Sequence, residues 1–283
     1  MNKFYYVFAA TGEKHIRTYA QFAIKSLIKT GVPIEDINCA VNNKNDYKLL
    51  KSLIPELKNI PIVNEDLSKI IWKSHGGNRK FSVFKAAALY KCFGKPIKNK
   101  YLVYSDTDVL FFKDPSPFLE TKCEKTWYHH GKKIVDFVYR KSRAGYNMKK
   151  NEVNVKDMNS LSKWMSAPAA YCMIKRGGTK IPDVEPVCGF YMLHPRDHEK
   201  LLKMTYENCI MISGKFKNHV DVGDQKPNCA AIHTLEIDWH GGDRFSCPEH
   251  LKYFNHYFGT KQMKNQFFID IKKLGLKINN KDD

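Results

Sequence analysis

The sequence predicts an α/β fold: a mixed, mainly parallel sheet flanked by helices. Three observations predict it. Apolar strand-like runs alternate with helical patterns through the first hundred residues, glycine or proline ends the helices, and two aspartates follow the strand that closes the series. Such a βαβ-type series places ligands at the carboxyl ends of its strands.

Phe4 to Ala10 is a continuous apolar run and reads as a buried strand. The stretch from Ile16 sets Tyr19, Phe22, Ala23, Ser26 and Leu27 on one helical face until Gly31 stops it. Ile37 to Val41 reads as a second strand, Asp46 to Ile54 as a helix and Ile60 to Val63 as a short strand. Phe81 to Phe93 is an alanine-rich helix ended by Gly94 and Pro96, and Tyr101 to Tyr104 is the next strand. Residues 120–185 mix polarity, with four glycines and several basic runs, and predict loops, short helices and an inserted subregion. Regular elements return with a strand from Val187 to Leu193 and a helix opened by Pro195 and running to about Cys209. From Met263 to Ile278, Phe267, Ile271 and Leu274 fall at helical spacing between lysines. That stripe packs on the sheet, or rests on an acidic membrane surface. The chain shows neither repeat nor linker, so its 283 residues read as a single domain, although at roughly 150 residues per domain the length would also hold two.

Lys and Arg number 47 against 29 Asp and Glu, a formal charge of +18. This basic balance implies an anionic partner: nucleotide phosphate, nucleic acid, acidic glycan or an anionic surface. No apolar run approaches the roughly 18 residues of a spanning helix, and none reads as a signal peptide, which gives a cytoplasmic expectation. Eight cysteines (Cys39, Cys92, Cys123, Cys172, Cys188, Cys209, Cys229, Cys247) are scattered without a Cys-x-x-Cys pair. They read as buried small hydrophobes in a reducing compartment, not as a zinc site.

The chemistry concentrates in Tyr101-Leu-Val-Tyr-Ser-Asp106-Thr-Asp108. In extended geometry the two carboxylates share one face, where they repel each other unless a divalent cation sits between them and a phosphate-rich ligand. Hard oxygen ligands suit Mg²⁺ or Mn²⁺, and a cation there would neutralise a departing diphosphate. His129-His130 invites a metal reading, but neighbouring histidines point apart. Trp239-His240-Gly-Gly-Asp243 shapes an acceptor groove or holds a core tryptophan.

These residues resemble the Asp-x-Asp site of GT-A-fold glycosyltransferases, in particular the glycogenin-like and lipopolysaccharide-galactosyltransferase-like group. Further matches fall in the family's order: Tyr6-Val-Phe-Ala9-Ala10-Thr11, Ser82-Val-Phe-Lys85, Phe112-Lys-Asp-Pro-Ser-Pro-Phe-Leu119, Val187-Cys-Gly189 to Pro195, Gly223-Asp224-Gln225, and His256-Tyr-Phe-Gly259-Thr-Lys261. The resemblance implies a Rossmann-like domain that transfers a sugar from a nucleotide-sugar donor, a UDP-sugar, with Mn²⁺ (or Mg²⁺) and with retention. It implies that Asp106, Asp108 and His256 hold the cation. Ala9, Ala10, Thr11, Lys85, Asp106, Thr107, Asp108, Gly189, Gly259 and Lys261 would bind the donor, and Asp224 and Gln225 would serve the anomeric carbon. On this reading 1–112 is a nucleotide-sugar lobe, 113–260 an acceptor-side lobe and 261–283 a basic C-terminal segment. The acceptor, whether glycan, protein or lipid, stays open. So do three residue assignments: His256 is a ligand or a buried core histidine, Asp224-Gln225 a catalytic pair or a polar turn, and Lys261 or Lys264 the phosphate lysine.

Two other classes fit less well. A haloacid-dehalogenase-type phosphatase carries its Asp-x-Asp on the first strand with Thr or Val two positions on, whereas here the motif lies past residue 100 and is followed by Leu110. A nucleic-acid binder interleaves basic and aromatic residues on one surface, whereas these aromatics lie mostly inside strands, so no nucleic-acid partner is expected.

Overall fold

The computed structural model describes residues 3–67, 79–97, 99–129, 131–133, 167–177, 184–213, 225–241, 248–257 and 261–277. Its centre is a six-stranded sheet in the order β2-β1-β3-β8-β5-β9. The strands are β1 (Phe4–Ala10), β2 (Ile37–Val41), β3 (Tyr101–Ser105), β5 (Thr126–Tyr128), β8 (Phe190–Leu193) and β9 (Trp239–Gly241). β1 pairs in parallel with β2 and β3, and β5 with β9; β8 runs antiparallel to β3 and β5. The sheet is therefore mixed and mainly parallel, with helices on both faces.

The alternation of side chains along β1 decides the two faces. Tyr6, Phe8 and Ala10 pack with Ala20, Ala23, Ile24 and Leu27, while Tyr5, Val7 and Ala9 pack with Phe84, Ala87 and Ala88. Every residue of β1 is buried, as expected of a strand covered on both sides. The first face is covered by α1 (Glu13–His15), a π turn (Ile16–Ala20) and α2 (Gln21–Lys29), which run on without a break, so the helix read from Ile16 to Gly31 is present and opens with a π turn. Gly31 ends it at φ +91°, a conformation that costs glycine nothing. The second face is covered by α4 (Arg79–Phe93), α7 (His198–Ser213) and α8 (Gln225–Thr234).

α3 (Lys44–Leu53) is capped by Asn43, whose side chain accepts from the N–H groups of Asn45 and Asp46. The strand expected at Ile60–Val63 is reduced to two isolated parallel bridges, Asn38 to Asn59 and Val41 to Ile62. Pro61 explains the loss: its carbonyl accepts from Val41 N–H, but it has no N–H to continue the ladder. The strand expected at Val187–Leu193 is shortened to β8, with a turn at Cys188-Gly189 and a separate strand, β7 (Val184–Pro186), ahead of it. The helix expected from Pro195 begins three residues later, because Asp197 closes a turn onto the His194 carbonyl and itself receives the first helical N–H, from Leu201. In the region 120–185, α5 (Ser116–Glu120) leads into β5, and β6 (Gly131–Lys133) and α6 (Ala167–Lys175) are also described.

A two-stranded antiparallel sheet joins β4 (Val109–Phe111) to β10 (Phe254–His256), with His256 opposite Val109. A 3-10 turn (Pro248–Lys252) precedes it, and α9 (Lys261–Lys273) follows. α9 does pack its apolar stripe inward: Phe267 and Ile271 are buried against Phe22, Leu110 and Tyr257, with Leu274 partly buried beside them. Of the seven cysteines described, all free, Cys39, Cys172, Cys188, Cys209 and Cys229 are buried as expected. Cys92 and Cys123 are only half-buried. No described helix is long and apolar enough to cross a membrane.

Candidate metal centre

β3 stops at Ser105, and Asp106-Thr107-Asp108 turns the chain at the carboxyl rim before β4 departs. The two carboxylates are therefore not brought together by extended alternation, as the sequence reading had it; a turn does it. Asp106 N–H donates to the Gly189 carbonyl at 2.7 Å, and Tyr257 N–H donates to the Asp108 carbonyl at 2.9 Å. The turn is thus held from β8's leading edge and from the end of β10.

The register of β10 on β4 then delivers His256. Its Nε2 lies 3.2 Å from Asp108 Oδ1 and 3.9 Å from Asp106 Oδ2. One donor atom from each of Asp106, Asp108 and His256 falls within a 4.8 Å cluster, the one such group among the described residues. The carboxylates remain about a quarter exposed while the imidazole is buried. The trio faces outward from a rigid floor.

Gly189 makes that approach possible. A Cβ on it would stand 2.0 Å from His256 Cε1, so no other residue fits under the ring. Gly189 thus contributes clearance for the ring.

Electrostatics bind the trio together. Burial alone pushes Asp108 upward, but the charge and hydrogen bond of His256, with Lys85 beyond, hold its carboxyl below the usual range. Burial likewise pushes His256 downward, and the two carboxylates more than reverse it, leaving the imidazole raised. In the metal-free chain the two carboxylates thus favour the charged form of His256 where a cation's charge is wanted. Two carboxylate oxygens and an imidazole nitrogen are a donor set that fits Mn²⁺, and Mg²⁺ less well because of the nitrogen.

The other residues singled out in the sequence are distributed as follows. Ala9 and Ala10 end β1, fully buried, beside Ala40 and Val41 of β2. Thr11 follows, and its hydroxyl donates to Asp46 Oδ2 at 2.8 Å while Gly12 N–H donates to Oδ1 at 3.1 Å. Thr107 is buried with its hydroxyl 2.7 Å from His15 Nε2, turned into the protein. Lys85 is 3% exposed and bonded to Asp106 and to the Cys188 carbonyl, both at 2.8 Å. Gln225 opens α8, half-buried, as the first residue of a helix and not of a polar turn. Lys261 opens α9, exposed, and Lys264 lies one turn on, also exposed. Asp224 and Gly259 lie outside the described residues, as do His130, Asp243 and Cys247. His129 is buried, with its Nε2 2.8 Å from His250 Nε2.

Sequence reasoning missed four neighbours of the centre. Tyr104 donates to Asp106 Oδ1 at 2.6 Å, and its position two residues before Asp106 was the available signal. Asp46 was announced by the helix-capping pattern Asn43-x-x-Asp46, though not its grip on the loop after β1. His15 and Tyr19 carried no local signal. Burial lowers the His15 imidazole although Asp108 and Asp46 pull it back, and burial followed by Asp108 raises the Tyr19 phenol.

No protein-family model matches the sequence, and no curated protein does. Among solved structures, an active-site mutant of LgtC matches over 95% of this chain and 94% of its own, at 14% identity and a TM-score of 0.50. Weaker likenesses are mouse xyloside xylosyltransferase 1 (98% and 94% covered, 12% identity, TM-score 0.45) and core-mannan synthase A of Aspergillus fumigatus in an Mn/GDP form (89% and 74%, 11%, 0.43). The chain has the GT-A fold and resembles LgtC along nearly its whole length.

Proposed function

We propose that this chain is a metal-dependent glycosyltransferase that takes a sugar from a nucleoside-diphosphate donor, a UDP-sugar, and transfers it with retention. The observation that carries the reading is the convergence of Asp106, Asp108 and His256 at the carboxyl rim of a GT-A sheet. The likeness in fold to LgtC supports the reaction class.

Asp106, Asp108 and His256 would hold the cation, Mn²⁺ ahead of Mg²⁺. When bound it supplies Lewis-acid neutralisation of the two phosphates of the leaving nucleoside diphosphate. The protein's own residues do the rest. Ala9, Ala10 and Thr11 present the end of β1 to the nucleoside, with Asp46 fixing the loop. Gly189 gives His256 its place. Gly259 and Lys261, with Lys264 as the other candidate, close over the diphosphate from the late segment, while Asp224 and Gln225 stabilise positive charge at the anomeric carbon. Residues 1–112 would then form the donor lobe, 113–260 the acceptor side and 261–283 a basic terminal segment.

The test is a panel of nucleotide sugars scored for Mn²⁺-dependent release of nucleoside diphosphate. One donor should turn over, and Asp106→Asn or Asp108→Asn should lower that turnover by at least about a hundredfold while the circular dichroism spectrum and melting temperature stay near wild type. Full activity of either variant at saturating donor would remove the assignment.

A further inference from the structure

The carboxylate of Asp106 has two unlike oxygens. Oδ1 accepts from Lys85 Nζ at 2.8 Å and from Tyr104 OH at 2.6 Å, so both of its lone pairs are used. Oδ2 is the oxygen turned toward His256. We infer that Lys85 and Tyr104 are positioning residues: they commit one oxygen of Asp106 to the protein and leave the other as a single, aimed ligand for the cation. The inference rests on the reading that the trio holds a metal.

Three further observations support it. Lys85 is 3% exposed, and its ammonium also donates to the Cys188 carbonyl, so it grips both the first aspartate and the turn whose next residue, Gly189, makes room for His256. The same ammonium lies 4.3 Å over the Tyr104 ring, which makes Lys85 and Tyr104 one packed unit. Tyr104 is itself immobilised, stacked at 5.1 Å on Tyr191, which packs at 5.0 Å on Tyr128. A rigid tyrosine stack across β3, β8 and β5 therefore backs a single carboxylate oxygen. The family resemblance gives Lys85 a place beside the donor's diphosphate; its burial and its two bonds set it directly behind the Asp106 carboxylate. A carboxylate freed from such a hold rotates about its last torsion and offers either or both oxygens, and loss of such outer partners lowers metal affinity about 10- to 100-fold.

The experiment measures Mn²⁺ binding to the full chain without nucleotide, from the electron paramagnetic resonance signal of the free ion. Tyr104→Phe, which removes one hydroxyl, is expected to raise the Mn²⁺ Kd about tenfold, and Lys85→Met by more. Tyr128→Phe is the control: it removes an equally buried hydroxyl from the same stack, one that donates to Asn228 and not to Asp106, and should leave the Mn²⁺ Kd within twofold of wild type. If Lys85→Met does not fold, Tyr104→Phe against Tyr128→Phe decides alone. A wild type that binds Mn²⁺ through Asp106 and a Tyr104→Phe that binds equally tightly would overturn the inference and leave the proposed function standing. A wild type that binds no Mn²⁺ would overturn the reading of the trio, and the inference with it.

Discussion

Two aspartates stand at opposite rims of the same parallel strands and meet opposite fates. Asp36 precedes β2 at the amino rim and pairs with Lys100, the residue before β3. Asp106 follows β3 at the carboxyl rim and pairs with Lys85. At the amino rim one acid meets one base and the account of charge closes. At the carboxyl rim Asp108 is added, so two carboxylates that stay partly open to solvent face Lys85 and one titratable imidazole. A single buried pair is a structural device; two half-open carboxylates beside an imidazole are a place for a cation.

The comparison can be broken most forcefully at Gly189. Gly189→Ala puts a methyl 2.0 Å from His256 Cε1, so the ring must leave the trio. Metal-dependent donor turnover should fall about a hundredfold, with the secondary structure kept by circular dichroism. Unchanged turnover would mean that His256 is not a ligand.

The amino rim should behave in the reverse way. Lys100→Met leaves Asp36, 4% exposed, without its Lys100 partner and should cost about 2 kcal/mol in urea unfolding, a buried-pair penalty reduced because Lys100 is a fifth exposed. Donor turnover below the melting transition should not change. A loss of activity with stability intact would show the two rims to be coupled.

Acidity sharpens the contrast. His256 is raised by the carboxylates, so its protonated form contributes stability to the metal-free chain below the ordinary imidazole value, and that contribution fades as pH rises through the raised one. Asp108 is lowered, so its share is present above the ordinary carboxylate value and is lost as pH falls through the depressed one. The metal-free ion pair is therefore strongest between those two limits. A cation needs the imidazole deprotonated, so Mn²⁺ affinity should climb, by about tenfold per pH unit at most, until pH passes the raised value of His256. Unfolding measured from pH 2 to 9 checks the ion pair and calorimetric Mn²⁺ titration across pH 5 to 9 the affinity, and a flat Mn²⁺ profile would exclude His256.

The smallest effect is expected where charge is fully solvated. Glu13 and Arg17 pair at 2.8 Å on an exposed helical turn, and Glu13→Gln should cost no more than about 0.5 kcal/mol, with turnover unaltered. A larger loss would assign the loop after β1 a stiffness beyond what Asp46 provides.

Much of this molecule is legible in its residues, for reasons that are local. The apolar run Phe4–Ala10 can be satisfied only by a strand buried on both faces, and Gly31 and Gly94 end helices wherever they fall. The aspartates, Gly189 and His256 announce themselves through residue type and order. What misled was also local: periodicity does not register that Pro61 cannot donate, or that position 189 must lack a side chain beneath a ring 67 residues further on.

Sequence by itself therefore determined which segments alternate, which residues carry acid, base and imidazole, and in what order they come, because propensity and hydrophobic burial act between near neighbours. Only the tertiary structure decided that β10 lies on β4 and so brings His256 to Asp108, and that Lys85 and Tyr104 occupy one oxygen of Asp106 and not the other. Those outcomes depend on register and on distances of a few ångströms between residues far apart in the chain, fixed by packing across the whole sheet.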